Sequence, residues 1–221
     1  MIEELKLVNW EQILEALQET LYMSFVSLFF TVIIGLATGI VLYSTRTNGL
    51  YENKFINKAI DFIVNVLRAI PFIILMFLII PFTKLLTGSM LGVNAALPSL
   101  IIAASPFYAR LCVLAFMEVD KGVIEATKAM GATNFQIIRK VIIPEAKPAL
   151  VSGIGVCAIS LISYTAMAGA IGSGGLGNLA YLYGLARRND AVLYIATILV
   201  IAIVFTVQGL NDLVVKKIDK R

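Results

Sequence analysis

Long stretches without a charged residue dominate this chain and limit its possible folds more than any other feature. No Asp, Glu, Lys or Arg occurs in residues 20–45 or in residues 148–186. A membrane-spanning helix needs about 20 consecutive, mostly apolar residues. Only 14% of the chain is charged and its mean hydropathy is +0.90, whereas soluble domains carry roughly 25% charged residues. The sequence therefore predicts an all-α, polytopic membrane helical bundle and excludes a soluble protein.

Five spans are predicted from the charge-poor runs. Prolines in the second and third of them predict kinked helices, because proline removes a backbone donor. The long uncharged run of residues 148–186 exceeds one span, and a glycine-rich segment, residues 172–177, divides it. We expect this segment to be a turn, with contact to an external protein as an added use. The predicted spans are residues 21–43, 61–83, 93–116, 149–171 and 191–211.

The distribution of lysine and arginine predicts the orientation, because cytoplasmic loops carry the excess. With a polar insert at residues 120–144 placed inside the cell, twelve of the 18 basic residues are cytoplasmic, four are external and two, Arg68 and Arg110, lie within spans. Five spans then put the N-terminus outside and the C-terminus in the cytoplasm. The twelve are Arg46, Lys54, Lys58, Lys121, Lys128, Arg139, Lys140, Lys147, Lys216, Lys217, Lys220 and Arg221.

The chain reads as one domain with short ends. Residues 1–19 form an extracytoplasmic or interfacial segment, residues 20–215 the transmembrane domain and residues 216–221 a basic cytoplasmic tail. The first segment is acidic where a secretory signal would be basic. Its residues 8–19 alternate apolar and charged positions at helical spacing, which predicts either a short helix on the membrane surface or an extension of the first span.

The polar insert predicts a helix, a turn and a second helix. Asp120 can cap the first helix, and Gly131 can end it in the left-handed conformation. Thr133 and Gln136 have the spacing of a capping box, and we expect Pro144 to end the second helix. A ten-residue helix is about 15 Å long, too short to cross a membrane. The insert therefore suits docking of a cytoplasmic partner, with Arg139 or Lys140 as possible ion-pair partners for Glu125.

A family resemblance rests on the insert. Glu125-Ala126-Thr127-Lys128-Ala129-Met130-Gly131 is followed, after nine residues, by Val141-Ile142-Ile143-Pro144. This spacing resembles the E-A-A, three residues, G, nine residues, I-x-L-P motif of permease subunits in ABC importers, with Thr127, Val141 and Ile143 as mild departures. Residues 68–75, 80–83, 105–110 and 167–177 resemble the permease subunits of methionine importers of type I. The resemblance covers residues 20–215.

The resemblance implies the function and the partners. It implies the type I ABC importer permease fold, a homodimer with ten spans, two cytoplasmic ATPase subunits and an extracytoplasmic substrate-binding lipoprotein, in the bacterial inner membrane. The cargo would be L-methionine and also D-methionine. The chain itself would hold no catalytic residue, cofactor or metal, since ATP and Mg would bind the ATPase, and no nucleic acid is expected. The implied docking residues are Glu125, Ala126, Thr127, Gly131, Ala132 and Pro144.

Other transport functions remain open from the sequence. A permease for another small amino acid would look the same, because many importers leave selection to the binding protein. A stand-alone carrier or channel is a further alternative, although such carriers usually show duplicated halves and charges for ion coupling within their spans. A membrane enzyme would need a nucleophile with a base, or metal ligands, and the chain has no histidine.

The fourth span is predicted to line the translocation pathway. Ser160, Ser163, Tyr164 and Met167 bring polarity without charge to an otherwise apolar helix. Met167 is the candidate gate, because its flexible side chain could close a pore against a symmetry mate; ordinary core packing is the alternative.

Several other residues have a structural and a functional interpretation. Arg68 and Arg110 are expected near the cytoplasmic end, where they could reach water or pair with Asp61 or Glu118; contact with a substrate carboxylate is the alternative. Small residues at Gly35, Gly39, Gly153 and Gly155 predict close helix packing, within one chain or between two. Cys112 and Cys157 are expected to be buried packing residues.

Overall fold

The computed structural model describes residues 9–219, and helices account for nearly all of this part of the chain. Three π-helical segments, Ile138–Ile142, Gly169–Ser173 and Leu179–Ala186, each directly follow an α-helix. The α-helices are α1 Trp10–Thr45, α2 Lys54–Ala69, α3 Phe72–Leu78, α4 Ile80–Thr87, α5 Val93–Met117, α6 Lys121–Ala129, α7 Asn134–Ile137, α8 Ile143–Glu145, α9 Lys147–Ala168, α10 Gly175–Asn178 and α11 Asp190–Ile218.

Four helices are long and apolar enough to cross a membrane: α1, α5, α9 with the π-helical segment after it, and α11. The predicted second span is broken. Its two parts, α2 and α3, meet at 107°, and Pro71 stands at the break. Within the described residues the five-span prediction therefore holds when this bent pair counts as one span.

The first span begins earlier than its charge-free run. Residues 10–19, expected either as a separate surface helix or as an extension, belong to one continuous helix that Asn9 caps by accepting a 3.0 Å hydrogen bond from the Glu11 amide. Residue 8 lies outside the described residues. No proline or glycine interrupts residues 10–34, so the backbone has no reason to break there.

The main core lies between α1, α5 and α9. Met23, Leu100, Cys112 and Leu161 are fully buried in it. Glycines set the approach of α1 to α5: a β-carbon at Gly39 would lie only 2.6 Å from the β-carbon of Cys112. The small residues predicted to allow close packing therefore do so within this chain.

Glycines also shape the contact between α9 and α11. Cys157 is buried, as predicted. Gly153 faces Tyr108 and Leu111 of α5, and Gly155 faces the Asn211 side chain of α11. Gly155 thus brings α9 against α11, while Gly153 brings it against α5.

The glycine-rich segment after α9 is more than a turn. Gly172, Gly174 and Gly175 have positive φ, and a helical stretch, residues 175–186, follows and packs against α11, with Gly184 against Leu193. The N-terminal half of α1 contacts the start of this stretch, because the Gly175 amide donates to Glu19 Oε2 at 2.6 Å. This stretch was not predicted, since nothing charged separates it from the fourth span.

Prolines act differently at different sites. Pro98 and Pro106 lie inside α5, which continues through both. At Pro71 the helix ends, and Ile70 is extended with φ −79° and ψ 123°. A proline in a span thus does not by itself locate a break.

Candidate functional site

The first helix of the polar insert is capped as the sequence predicts. Asp120 Oδ1 accepts from the Gly122 amide at 2.6 Å, and Gly131, with φ 84°, follows the end of α6. A β-carbon at Gly131 would meet nothing within 4 Å. No residue of α6 is buried, so this nine-residue helix is presented almost entirely to its surroundings.

The second helix of the insert is fixed to the bundle. Thr133 and Gln136 form the predicted capping box, with bonds of 3.3 and 2.9 Å. The Asn134 side-chain nitrogen Nδ2 donates to the Leu50 carbonyl at 2.6 Å, which ties α7 to the loop after α1. Ile137 is fully buried in the main core. The insert is therefore an exposed helix on a rigid base.

Pro144 does not end the second helix, contrary to the prediction. It lies in the first turn of α8, where a missing amide is tolerated. The π-helical segment Ile138–Ile142 precedes it. In this wider turn the Ile143 amide donates to the Ile138 carbonyl, and the backbone stays helical up to Pro144. The helical path from α7 to α9 is interrupted only near Ala146, so the insert leads directly into the fourth span.

The predicted docking residues fall into two groups. Glu125, Ala126, Gly131 and Pro144 are exposed, whereas Thr127 and Ala132 are half-buried. The Thr127 hydroxyl donates to the Val123 carbonyl at 2.7 Å, and Ala132 packs against the main core. In residues 9–219 the ion pairs are Lys54–Glu52 and Arg110–Asp61. Glu125 therefore does not pair with Arg139 or Lys140.

Three apolar side chains of the insert were not singled out from the sequence. Met130 is 80% exposed, Phe135 61% and Val123 44%. Their residue type is the signal that could have identified them. A large apolar side chain in a short polar segment outside the spans has no hydrophobic core to pack in. They flank the turn at Gly131.

The predicted pathway residues of α9 lie along one side of the helix. Ser163 and Met167 are exposed, and Ser160 and Tyr164 are half-buried. The hydroxyl groups of Ser160 and Ser163 donate to carbonyls of their own helix. The Tyr164 ring stacks on Phe72 of α3 at 4.8 Å between centroids and an interplanar angle of 10°. The α9 side therefore adjoins the broken second span.

The two arginines within spans differ. Arg110 pairs with Asp61 at 3.3 Å, one of the two partners the sequence offered. Arg68 is exposed in the last turn of α2, next to the break and far from the first residues of that helix. The expectation that Arg68 lies near the cytoplasmic end of its span stays a prediction.

Curated proteins and solved structures resemble the chain over nearly its whole length. The methionine import system permease protein MetP of Bacillus subtilis (strain 168) is 52% identical over 214 residues, 97% of this chain and 96% of that protein. The probable D-methionine transport system permease protein MetI of Pasteurella multocida (strain Pm70) is 43% identical over 212 residues, 96% of this chain and 98% of that protein.

Among solved structures, a chain from inward-facing conformations of the MetNI methionine ABC transporter has a TM-score of 0.93 and 41% identity, with 96% of this chain and 98% of that chain covered. Residues 31–220 match the family described as binding-protein-dependent transport system inner membrane component. That region contains both the insert and the predicted pathway residues of α9. The chain belongs to the family of binding-protein-dependent transport system inner membrane components.

Proposed function

We propose that this chain is the transmembrane subunit of an ATP-driven importer for methionine. Two copies form the translocation pathway, two cytoplasmic ATPase subunits drive it, and an extracytoplasmic binding lipoprotein delivers L- or D-methionine. The observation that carries the mechanism is the α6–α7 unit: an exposed helix, fixed at its base, with unpartnered apolar side chains. A short helix of this kind can insert into a groove of a partner. The cargo rests on the methionine permeases that the chain resembles.

The chemistry of ATP hydrolysis belongs to the partner in this proposal. ATP and Mg bind the ATPase subunits, and the permease contributes a mechanical response. Glu125, Ala126 and Gly131 lie on the exposed part of the insert, where the ATPase docks. Thr127 and Ala132 support that surface from within, and Pro144 begins the connection to α9. Met167 serves as the gate on the exposed side of α9.

The orientation follows from the same unit. With α6 and α7 in the cytoplasm, an N-terminus outside and a C-terminus inside satisfy the excess of lysine and arginine in cytoplasmic loops. A cysteine introduced by Lys128→Cys, at an exposed position of α6, should react with an impermeant thiol reagent in inside-out vesicles only. Reaction in right-side-out vesicles would reverse the orientation and remove the ATPase contact.

Uptake by the complete transporter tests the function. The permease, its ATPase and its binding protein are reconstituted in vesicles with ATP supplied on the ATPase side, and labelled methionine is offered with the binding protein. We expect uptake that depends on ATP and that unlabelled L- or D-methionine competes away. Uptake of another amino acid in preference to methionine would overturn the assignment of methionine as the cargo and leave the ATP-driven mechanism intact. Uptake without ATP would overturn that mechanism.

The docking surface has its own test. Met130→Ala with Phe135→Ala removes apolar area that is mostly exposed in residues 9–219, so thermal stability of the isolated permease should hardly change. Copurification of the ATPase should fall strongly. Leu85→Ala is the matched control, because Leu85 is equally exposed, at 83%, on α4 outside the insert. Normal ATPase binding by the double variant would contradict docking at α6–α7.

A further inference from the structure

A polar stripe runs along α2 through an otherwise apolar helix. Lys58, Asp61, Asn65 and Arg68 follow one another at intervals of three or four residues, which places them on one face. The stripe lies beside the packed face, where Val64 is buried. Polar residues within a span face protein or water, because exposure to lipid is costly.

Two members of the stripe, Asp61 and Asn65, have polar partners close by. Asp61 Oδ2 accepts from Asn65 Nδ2 at 2.9 Å, and Asp61 Oδ1 is 3.3 Å from Arg110 Nη1 on α5. Both oxygens of this carboxylate are thus engaged, and the charges of Asp61 and Arg110 offset each other. Both side chains remain more than a third exposed, at 39% and 36%. The pair therefore borders an open space and is not sealed inside the helix bundle.

Arg68 is left without such a partner among residues 9–219. It lies one turn beyond Asn65, is exposed, and takes part in neither ion pair of the described chain. The only carboxylate on its stripe, Asp61, is already occupied. Arg68 is therefore an uncompensated cation on a membrane-spanning segment, where a free charge costs several kcal/mol if it faces lipid.

Arg68 lies in the last turn of α2, far from the first residues of that helix. Arg68 lies ten residues beyond Lys58, which is about 15 Å along a helix. With Lys58 at the cytoplasmic edge, as the predicted orientation has it, this length is about half of a hydrocarbon layer about 30 Å thick.

The broken backbone beside Arg68 also requires a polar environment. Pro71 has no amide hydrogen, so it cannot continue the hydrogen-bond ladder of α2, and the last carbonyls of that helix lack helical donors. Non-helical backbone at membrane depth is tolerated only where protein or a water-filled cavity covers it. Phe72, just after the break, stacks on Tyr164 of α9. The break therefore adjoins the side of α9 that carries Ser163 and Met167.

We propose that Arg68 binds the carboxylate of the transported amino acid at the bend of the second span, in a water-filled pathway bordered by α2, α5 and α9. The inference rests on the proposed amino-acid transport. A guanidinium forms two parallel hydrogen bonds with a carboxylate, and every free α-amino acid carries that group. Arg68 therefore recognises the part of the cargo common to all amino acids.

The first test is whether position 68 is in water. In the reconstituted transporter, Arg68→Cys should react with a charged thiol reagent at least about tenfold faster than Phe62→Cys, since charged reagents need water and Phe62 lies on the apolar side of α2. The unmodified protein gives the background, because Cys112 and Cys157 are fully buried. Equal, slow reaction at both positions would overturn the proposal.

The second test is transport. Arg68→Gln should lower ATP-driven uptake at least about tenfold, the usual effect of losing a charged hydrogen bond, while ATP hydrolysis stimulated by the binding protein persists. Arg68→Lys keeps the positive charge but cannot form the two parallel hydrogen bonds, so its uptake should lie between those of the unmodified transporter and Arg68→Gln. Lys58→Gln, the same change near the cytoplasmic end of the stripe, is the matched control and should leave uptake unchanged.

The outcomes separate the two proposals. Unchanged uptake by Arg68→Gln overturns the carboxylate site, and so does a parallel loss of uptake and stimulated hydrolysis, which indicates damage to the whole permease. If the unmodified transporter moves another amino acid, the methionine assignment fails alone. The effect of Arg68→Gln on uptake of that amino acid then still tests whether Arg68 binds the carboxylate.

Discussion

The first and second spans are close neighbours built on opposite principles. In α1 a seam of small residues is buried against α5, and the helix runs unbroken for 36 residues. The second span breaks at 107°, and α2 buries only Val64. Close packing specifies the position of α1, whereas the loose packing of α2 leaves polar side chains on an open face. The first span therefore has a structural role in packing, whereas the second span exposes polar side chains that are free to bind a ligand.

The largest expected effect tests the scaffold. Gly39→Leu would force a side chain into Cys112 and the Ala109 carbonyl, and overpacking of this kind costs about 3 kcal/mol or more when backbone blocks relief. We expect little folded permease, measured as the monodisperse fraction in detergent. Gly209→Leu is the control, because a β-carbon at Gly209 meets nothing within 4 Å. Equal yields would show that α1 is not held by its seam.

A smaller loss is expected at the one buried position of α2. Val64 packs with Leu42 and Val113, and truncation of a buried aliphatic side chain costs about 1–3 kcal/mol. Val64→Ala should lower the thermal midpoint in detergent clearly. Val66→Ala, on the exposed side at 41%, should not. If Val66→Ala proved the more harmful, α2 would pack in the assembly through the face that is open in this chain.

The ion pair beside the bend should contribute less. Asp61→Asn removes the carboxylate that Arg110 and Asn65 share, and we expect a stability loss of about 1 kcal/mol because both charges are partly solvated. Arg110→Gln in the same chain should recover part of it, since no unpaired cation then remains. The comparison of the single and double variants by thermal unfolding gives the coupling. Additive losses would mean that the pair is not formed in the membrane.

The smallest effect on stability is expected at the candidate gate. Met167 is 40% exposed in the single chain, so Met167→Ala should leave the thermal midpoint nearly unchanged. It should raise ATP hydrolysis or passive methionine leak in reconstituted vesicles. Val156→Ala, similarly exposed on the same helix at 47%, is the control. If neither hydrolysis nor leak changes, Met167 is not the gate.

Local signals allowed the polar insert to be predicted in detail. The cap at Asp120, the left-handed Gly131 and the capping box at Thr133 each depend on residues within three or four positions, and all three are confirmed. Pro144 was misread because the effect of a proline depends on the turn that precedes it. A π-helical turn accommodates Pro144 here, and no residue type in that segment predicts such a turn.

The second span could not be predicted to the same depth. Pro71, Pro98 and Pro106 look alike in the sequence, yet only Pro71 lies at a sharp bend. The difference is tertiary: Pro98 and Pro106 sit in a helix enclosed by α1 and α9, whereas α2 and α3 have few buried contacts. The role of Arg68 depended on this break. Charge and hydropathy located the span and left its shape undetermined.

The length of α1 has a mechanical consequence. Its 36 residues extend about 54 Å, well beyond the roughly 30 Å of hydrocarbon. In its N-terminal half Glu19 accepts a hydrogen bond from the Gly175 amide, and just past its C-terminal end the Leu50 carbonyl accepts one from the Asn134 side chain of the insert. One continuous helix thus contacts both the segment after α9 and the loop that holds the insert. A displacement of the insert would therefore be passed along α1 to the segment at Gly175 without an intermediate linkage.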